Sequence, residues 1–164
     1  MLSKISKMKI QFKTLEKGLT LIELLLVMAI LSILVGTVLV LINPATQFKK
    51  ANDTKRRNDV GAIINAVHQY MADNNGNVPA GVTSSLTNIS SNVGEINLCT
   101  DLVPKYIGDI PVDPATGSKN PQNSNCKDSG VTYSSGYKIS INPADNRTTV
   151  SATGEITADI HVTR

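Results

Sequence analysis

The sequence is poor in the residues that carry chemistry. It holds two histidines, His68 and His161. Neither stands beside a cysteine or at a set spacing from a carboxylate, so neither reads as a triad member or a zinc ligand. Both read as ordinary surface or boundary histidines. No glycine-rich phosphate loop occurs, and no internal repeat is visible. The two cysteines, Cys99 and Cys126, have no nearby Cys or His pair to complete a zinc set. These absences point away from an enzyme. Charge is scarce in one place above all. Over the 24 residues from Leu19 to Ile42 a single side chain, Glu23, is charged.

That run is the most informative stretch of the chain. At about 1.5 Å per residue it makes a helix of roughly 36 Å, enough to cross a bilayer core of about 30 Å with some tilt. It is too long for the apolar region of a secretory signal, and no small-residue cleavage site follows it. Glu23 is the exception inside it. A carboxylate in a membrane helix is costly, which marks Glu23 as functional and predicts a cation as its partner.

Lys17-Gly18-Leu19-Thr20-Leu21-Ile22-Glu23, followed by this apolar helix, resembles the processing site of type IV pilins and pseudopilins. The likeness runs from Lys17 to about Ala72. It implies that prepilin peptidase cuts after Gly18 on the cytoplasmic side, leaving an N-methylated Leu19. It also implies that the mature subunit enters a filament through its N-terminal helix, with Glu23 answering the Leu19 α-amine of an adjacent subunit. Two positions depart from the usual pattern. Leu19 stands where the family mostly has Phe, and Val40 stands where many pilins carry a proline.

Charge placement agrees. The formal net charge is +3, but the leader holds Lys4, Lys7, Lys9, Lys13 and Lys17 against Glu16. Without the leader, 11 basic and 12 acidic residues remain, a net of −1. Lysines flanking an apolar helix stay in the cytoplasm. The expected organisation is a cytoplasmic leader over 1–18, a membrane and filament-core helix over 19–42, and an extracytoplasmic domain over 43–164. The protein is then a single-pass cytoplasmic-membrane protein before assembly and a cell-surface filament afterwards. In that compartment Cys99 and Cys126 are expected to form a disulfide.

After Ile42, Asn43-Pro44 predicts a kink or local opening. Phe48, Ala51, Val60, Ile63, Ile64, Val67, Tyr70 and Met71 then recur at helical spacing. Lys49, Lys50, Asp53, Lys55, Arg56, Arg57 and Asp59 are expected largely on other faces. The reading is one long helix from Leu19 to about Asp73, stopped by Asn74-Asn75-Gly76-Asn77. Strand patterns come late, at Val131–Tyr133, Tyr137–Ile141, Thr148–Ala152 and Ile156–Val162. The expected fold class is α+β, a long N-terminal helix packed through its second half on an antiparallel sheet of about three or four strands.

Other candidate sites are sparse. Asp109, Asp113 and Asp128 are calcium candidates near the Cys99–Cys126 loop, since some pseudopilins bind calcium there. Their spacing fits no EF-hand, and turn aspartates account for them as well. No other cofactor is expected. Asn52, Asn88 and Asn146 open formal glycosylation sequons. Lys55-Arg56-Arg57 is the candidate for phosphates or nucleic acid, although a solvated face or pairing with acids is the more common use of such a cluster. The function expected is a structural subunit of a type IV pilus or related filament. Its partners are copies of itself, prepilin peptidase, the assembly platform and the membrane. The alternatives are a minor pseudopilin of a secretion or DNA-uptake machine, and a filament-borne adhesin or DNA receptor.

Overall fold

The computed structural model describes residues 18–164. The leader residues before Gly18 lie outside the described part. The chain divides into two compact units, one ending at Asn43 and one running from Pro44 to Arg164.

The first unit is α1, Leu21–Ile42. Its 22 residues rise about 33 Å. The helix starts two residues later than the apolar run because Thr20 caps it. Thr20 has extended backbone, and its side chain accepts the Glu23 amide while Glu23 reaches back to the Thr20 amide. This reciprocal capping box satisfies two donors that a helix start leaves open. No residue of α1 is buried. Leu and Ile side chains project all round it, with Leu21, Val40 and Leu41 each more than 80% exposed. At the far end Asn43 takes a left-handed conformation, φ 45°, so the helix is interrupted where a kink was expected. Pro44 then stands at the first position of the next helix, where its missing N–H costs nothing.

The second unit begins with α2, Pro44–Asp73. The apolar stripe holds from Val60 onward, where Val60, Ile63, Ile64, Ala66 and Val67 are buried. It fails earlier in the helix. Phe48 and Ala51 are exposed, and the buried positions there are Asp53 and Arg56. The helix ends as its sequence demands, with Asn75 and Gly76 at positive φ and the Gly76 amide bonded to the Met71 carbonyl.

A five-stranded antiparallel sheet follows, two strands of which are short pieces beyond those expected. The strands are β1 Thr87–Ser90, β2 Ser118–Asn120, β3 Thr132–Asn142, β4 Arg147–Ala152 and β5 Ile160–Thr163. A single turn of helix, α3 Cys99–Leu102, lies between β1 and β2. The sheet order is β1-β3-β4-β5, and β2 also pairs with β3. The two segments expected around Tyr133 and Ile139 are one strand, β3. Along it Tyr133, Ser135, Tyr137 and Ile139 are buried at alternate positions. Helix α2 packs against β4, β5 and α3. The core joins Val60, Ile63, Ile64 and Val67 of the helix to Ile89, Leu98, Leu102, Ile139 and Val150. Cys99 and Cys126 form a disulfide, with Cα atoms 6.1 Å apart.

Candidate functional site

Two places concentrate what this chain can do: the start of α1 and a buried ionic cluster under the first half of α2.

At the start of α1 the capping box fixes the Glu23 carboxylate. Its Oε2 accepts the Thr20 N–H at 2.9 Å and the Thr20 hydroxyl at 2.8 Å. Oε1 has no partner among the described residues. Gly18 and Leu19 precede the cap in non-helical backbone and are exposed. An added Cβ at Gly18 meets nothing within 4 Å among the described residues, so packing among them does not require glycine there. The structure therefore places Gly18, Leu19 and Glu23 at one accessible helix end, on a helix with no further charged residue.

The second place was not foreseen. Arg56 is 1% exposed and is the hub of the cluster. Its Nε and Nη2 donate to the two carboxylate oxygens of Asp113 at 2.5 and 3.1 Å, in bidentate geometry. Its Nη1 reaches Asp53 at 2.8 Å and Glu155 at 3.1 Å. Asp53 in turn accepts three successive backbone N–H groups, those of Glu155, Ile156 and Thr157, at 2.8 to 3.0 Å. The N–H groups of Thr157 and Glu155 are the main reason that its pKa lies far below the usual carboxylate range, with Arg56 adding to them. Burial alone would raise the Asp113 carboxyl. The Arg56 bond and the Thr116 and Ala115 N–H groups outweigh burial and hold it at about 2. The guanidinium is raised above its ordinary value, first by its bond to Asp113. One helical turn on, the Tyr137 hydroxyl donates to Asp59 at 2.7 Å. Burial of that ring, and then the carboxylate, push the phenol above its normal range. Lys55 also pairs with Asp59, at 2.6 Å.

The cluster thus clamps two loops onto α2, the Asp113–Gly117 turn and the β4–β5 connection. A periodic signal for it existed. Positions 53, 56, 60, 63, 64 and 67 lie on one helical stripe, and charge at the first two hid their phase. The basic triplet is split accordingly. Arg56 is buried, while Lys55 and Arg57 are exposed.

The three calcium candidates have separate partners. Asp113 belongs to the Arg56 cluster. Asp109 pairs with Lys119 and accepts the Cys126 N–H at 3.1 Å. Asp128 accepts the Asn125 N–H at 2.8 Å. No group of three or more His, Cys, Asp or Glu among the described residues is arranged to hold a metal ion. His161 pairs with Asp159 at 2.9 Å, and both are exposed. Nε2 of His68 is buried without a hydrogen-bond partner among the described residues. Of the three sequons, Asn52 is bonded to Glu155 and Asn88 to Glu95. Asn146 is exposed at positive φ in the β3–β4 turn.

Comparison with curated proteins and with solved structures returns no match. Comparison with family models matches the end of the chain where the capping box lies. Residues 13–39 fit the prokaryotic N-terminal methylation motif, so the chain carries the signature of type IV pilins and pseudopilins.

Proposed function

We propose that this protein is a structural subunit of a type IV pilus or a related filament. Prepilin peptidase cuts it after Gly18, Leu19 becomes the methylated N-terminus, and mature subunits polymerise through α1 from the cytoplasmic membrane. Residues 19–42 serve first as a membrane span and then as filament core, and residues 43–164 face the outside. The observation that carries this reading is α1 itself, a 22-residue, predominantly apolar helix with one charged residue and none buried, within and beyond a methylation motif. Such a helix needs a lipid bilayer or a bundle of its own kind. Exchange of lipid for neighbouring helices yields little from the hydrophobic effect, because both are apolar, so packing and polar pairs decide the register.

Orientation is supported by how the outer charges are disposed. Five basic residues follow the span within 15 positions, at 49, 50, 55, 56 and 57. Two of them are already neutralised, Arg56 by Asp53, Asp113 and Glu155, and Lys55 by Asp59. The leader lysines have one acid among them, Glu16.

Terminal sequencing and mass measurement of protein sheared from the cell surface test the reading. A chain beginning at N-methylated Leu19 is expected. One beginning at Met1, or beyond Ile42, overturns it.

A further inference from the structure

We propose that the opening turns of α2, Phe48 with Lys49 and Lys50, seat on the outer leaflet of the membrane and hold anionic lipid headgroups while the subunit awaits assembly. This rests on the membrane-spanning reading of α1.

Phe48 is the single phenylalanine beyond the leader, and it is 72% exposed. A helical register that buries Val60, Ile63 and Ile64 leaves it outside the core. Lys49 and Lys50 follow it, both exposed. Of the other cations of this helix, Lys55 pairs with Asp59, Arg56 with Asp53, Asp113 and Glu155, and Arg57 donates to the Thr157 hydroxyl at 2.9 Å. Among the described residues Lys49 and Lys50 have no carboxylate partner. The acid nearest to them along the helix, Asp53, is turned inward and saturated by Arg56 and three backbone N–H groups. The patch therefore offers one aromatic ring and two uncompensated ammonium groups.

Its place in the chain selects the occupant. Phe48 lies six residues beyond Ile42, where α1 ends. Pro44 to Phe48 is already helix and rises about 6 Å, and the two steps across Asn43 add at most about 8 Å. Each headgroup zone is about 5–8 Å deep beside the hydrocarbon. The tether keeps the patch near that zone whatever direction α2 takes. Aromatic rings favour this level of a membrane, and lysine stems lie along apolar surface while their charges meet phosphate. Phospholipid of negative charge is the partner whose chemistry and position both fit.

The chain contains no tryptophan, so Phe48→Trp introduces a unique fluorophore at a site already exposed. The full-length variant is reconstituted into phosphatidylcholine vesicles, with and without phosphatidylglycerol. Its indole emission should shift to the blue and be quenched by brominated lipid. Both effects should grow with phosphatidylglycerol, and the growth should vanish in high salt and on adding Lys49→Gln and Lys50→Gln. A water-like emission that brominated lipid leaves unquenched in either vesicle overturns the proposal. So does a shift that follows the protein-to-lipid ratio instead of lipid charge, which assigns the patch to a second copy of the chain. A separate Leu31→Trp chain reports the span. Quenching of that indole without quenching at position 48 rejects this proposal alone, and absence of quenching in both rejects the membrane reading itself.

Discussion

A single arginine carries much of the globular unit. Arg56 makes side-chain bonds to Asp53, Asp113 and Glu155, which come from α2, the turn before β2 and the loop before β5. Such a group rarely adds net stability over an apolar replacement of the whole set, but removing one member leaves buried charge uncompensated. Arg56→Met should therefore cost about 3–5 kcal/mol, read as a fall in the urea midpoint of unfolding. An unchanged midpoint would show that the two aspartates are satisfied without it. The pH dependence follows from the same atoms. The Asp113 carboxyl is held at about 2 in the folded chain, below the roughly 3.9 of an unfolded one. Asp53 is lowered as well. A depressed carboxylate contributes stability that is complete above its unfolded pKa and is lost as pH falls through the folded one. The unit should thus hold its midpoint down to about pH 4 and lose stability between about pH 4 and pH 2. In Asp113→Asn that acid limb should be shallower. An equally steep limb in the variant would place the titration elsewhere.

Glycine and cysteine act on whole elements. The Asp113–Gly117 turn lies directly on β3, with the Asp113 amide bonded to the Ser135 carbonyl at 2.8 Å. A Cβ at Gly117 would stand 2.8 Å from that same carbonyl oxygen and 2.7 Å from the Asp113 nitrogen. These are backbone atoms that cannot swing aside, so Gly117→Ala should loosen the turn and the Arg56–Asp113 pair with it. Faster hydrogen exchange at Asp113 and Gly117 is the expected readout. The disulfide works through the unfolded chain. Its ends are 27 residues apart, and closing a loop of that size is worth about 3–4 kcal/mol in the chain-entropy model. Reduction should lower the unfolding free energy from urea titration by that amount, and alkylation of Cys99 and Cys126 should require prior reductant.

At this scale the limits of sequence reading are physical. The apolar half of α2, its Asn-Gly stop and the hairpin of β3 and β4 were legible, because periodicity and turn residues reported them directly. β1 and β2 were not, being three or four residues long and polar. Their strand character comes from pairing with β3 rather than from their own composition. The Arg56 cluster was hidden for the opposite reason. Its residues look like surface, and only the Asp113 turn and the β4–β5 loop, distant in sequence, make them core. Around the start of α1 the motif pointed to Gly18 and Glu23, and the Thr20 cap has a signal of its own, Thr20-x-x-Glu23 ahead of an apolar run.

At the scale of the whole molecule the question is what one carboxylate does in an apolar helix. Two roles are open to Glu23. It caps α1 through Thr20, and on the filament reading its charge answers the Leu19 α-amine of a neighbouring subunit. Glu23→Ala removes both, and Glu23→Gln separates them. Glutamine at this position still completes a capping box, yet it carries no charge for an ammonium group. If charge matters, both variants should insert, because loss of a charge favours a membrane helix. Both should be cut, if recognition rests on Gly18 and the lysines before it. Mature subunit should then accumulate in membranes while sheared filament falls at least about tenfold, since each added subunit would bury an unpaired amine. Methylation does not rescue this, as a methylated amine keeps its charge. Quantifying mature subunit in membranes against subunit in sheared filaments, for wild type and both variants, decides the matter. Normal filaments from Glu23→Gln with few from Glu23→Ala would make the capping box the operative contact. Uncleaved precursor in both would move the role of Glu23 to processing.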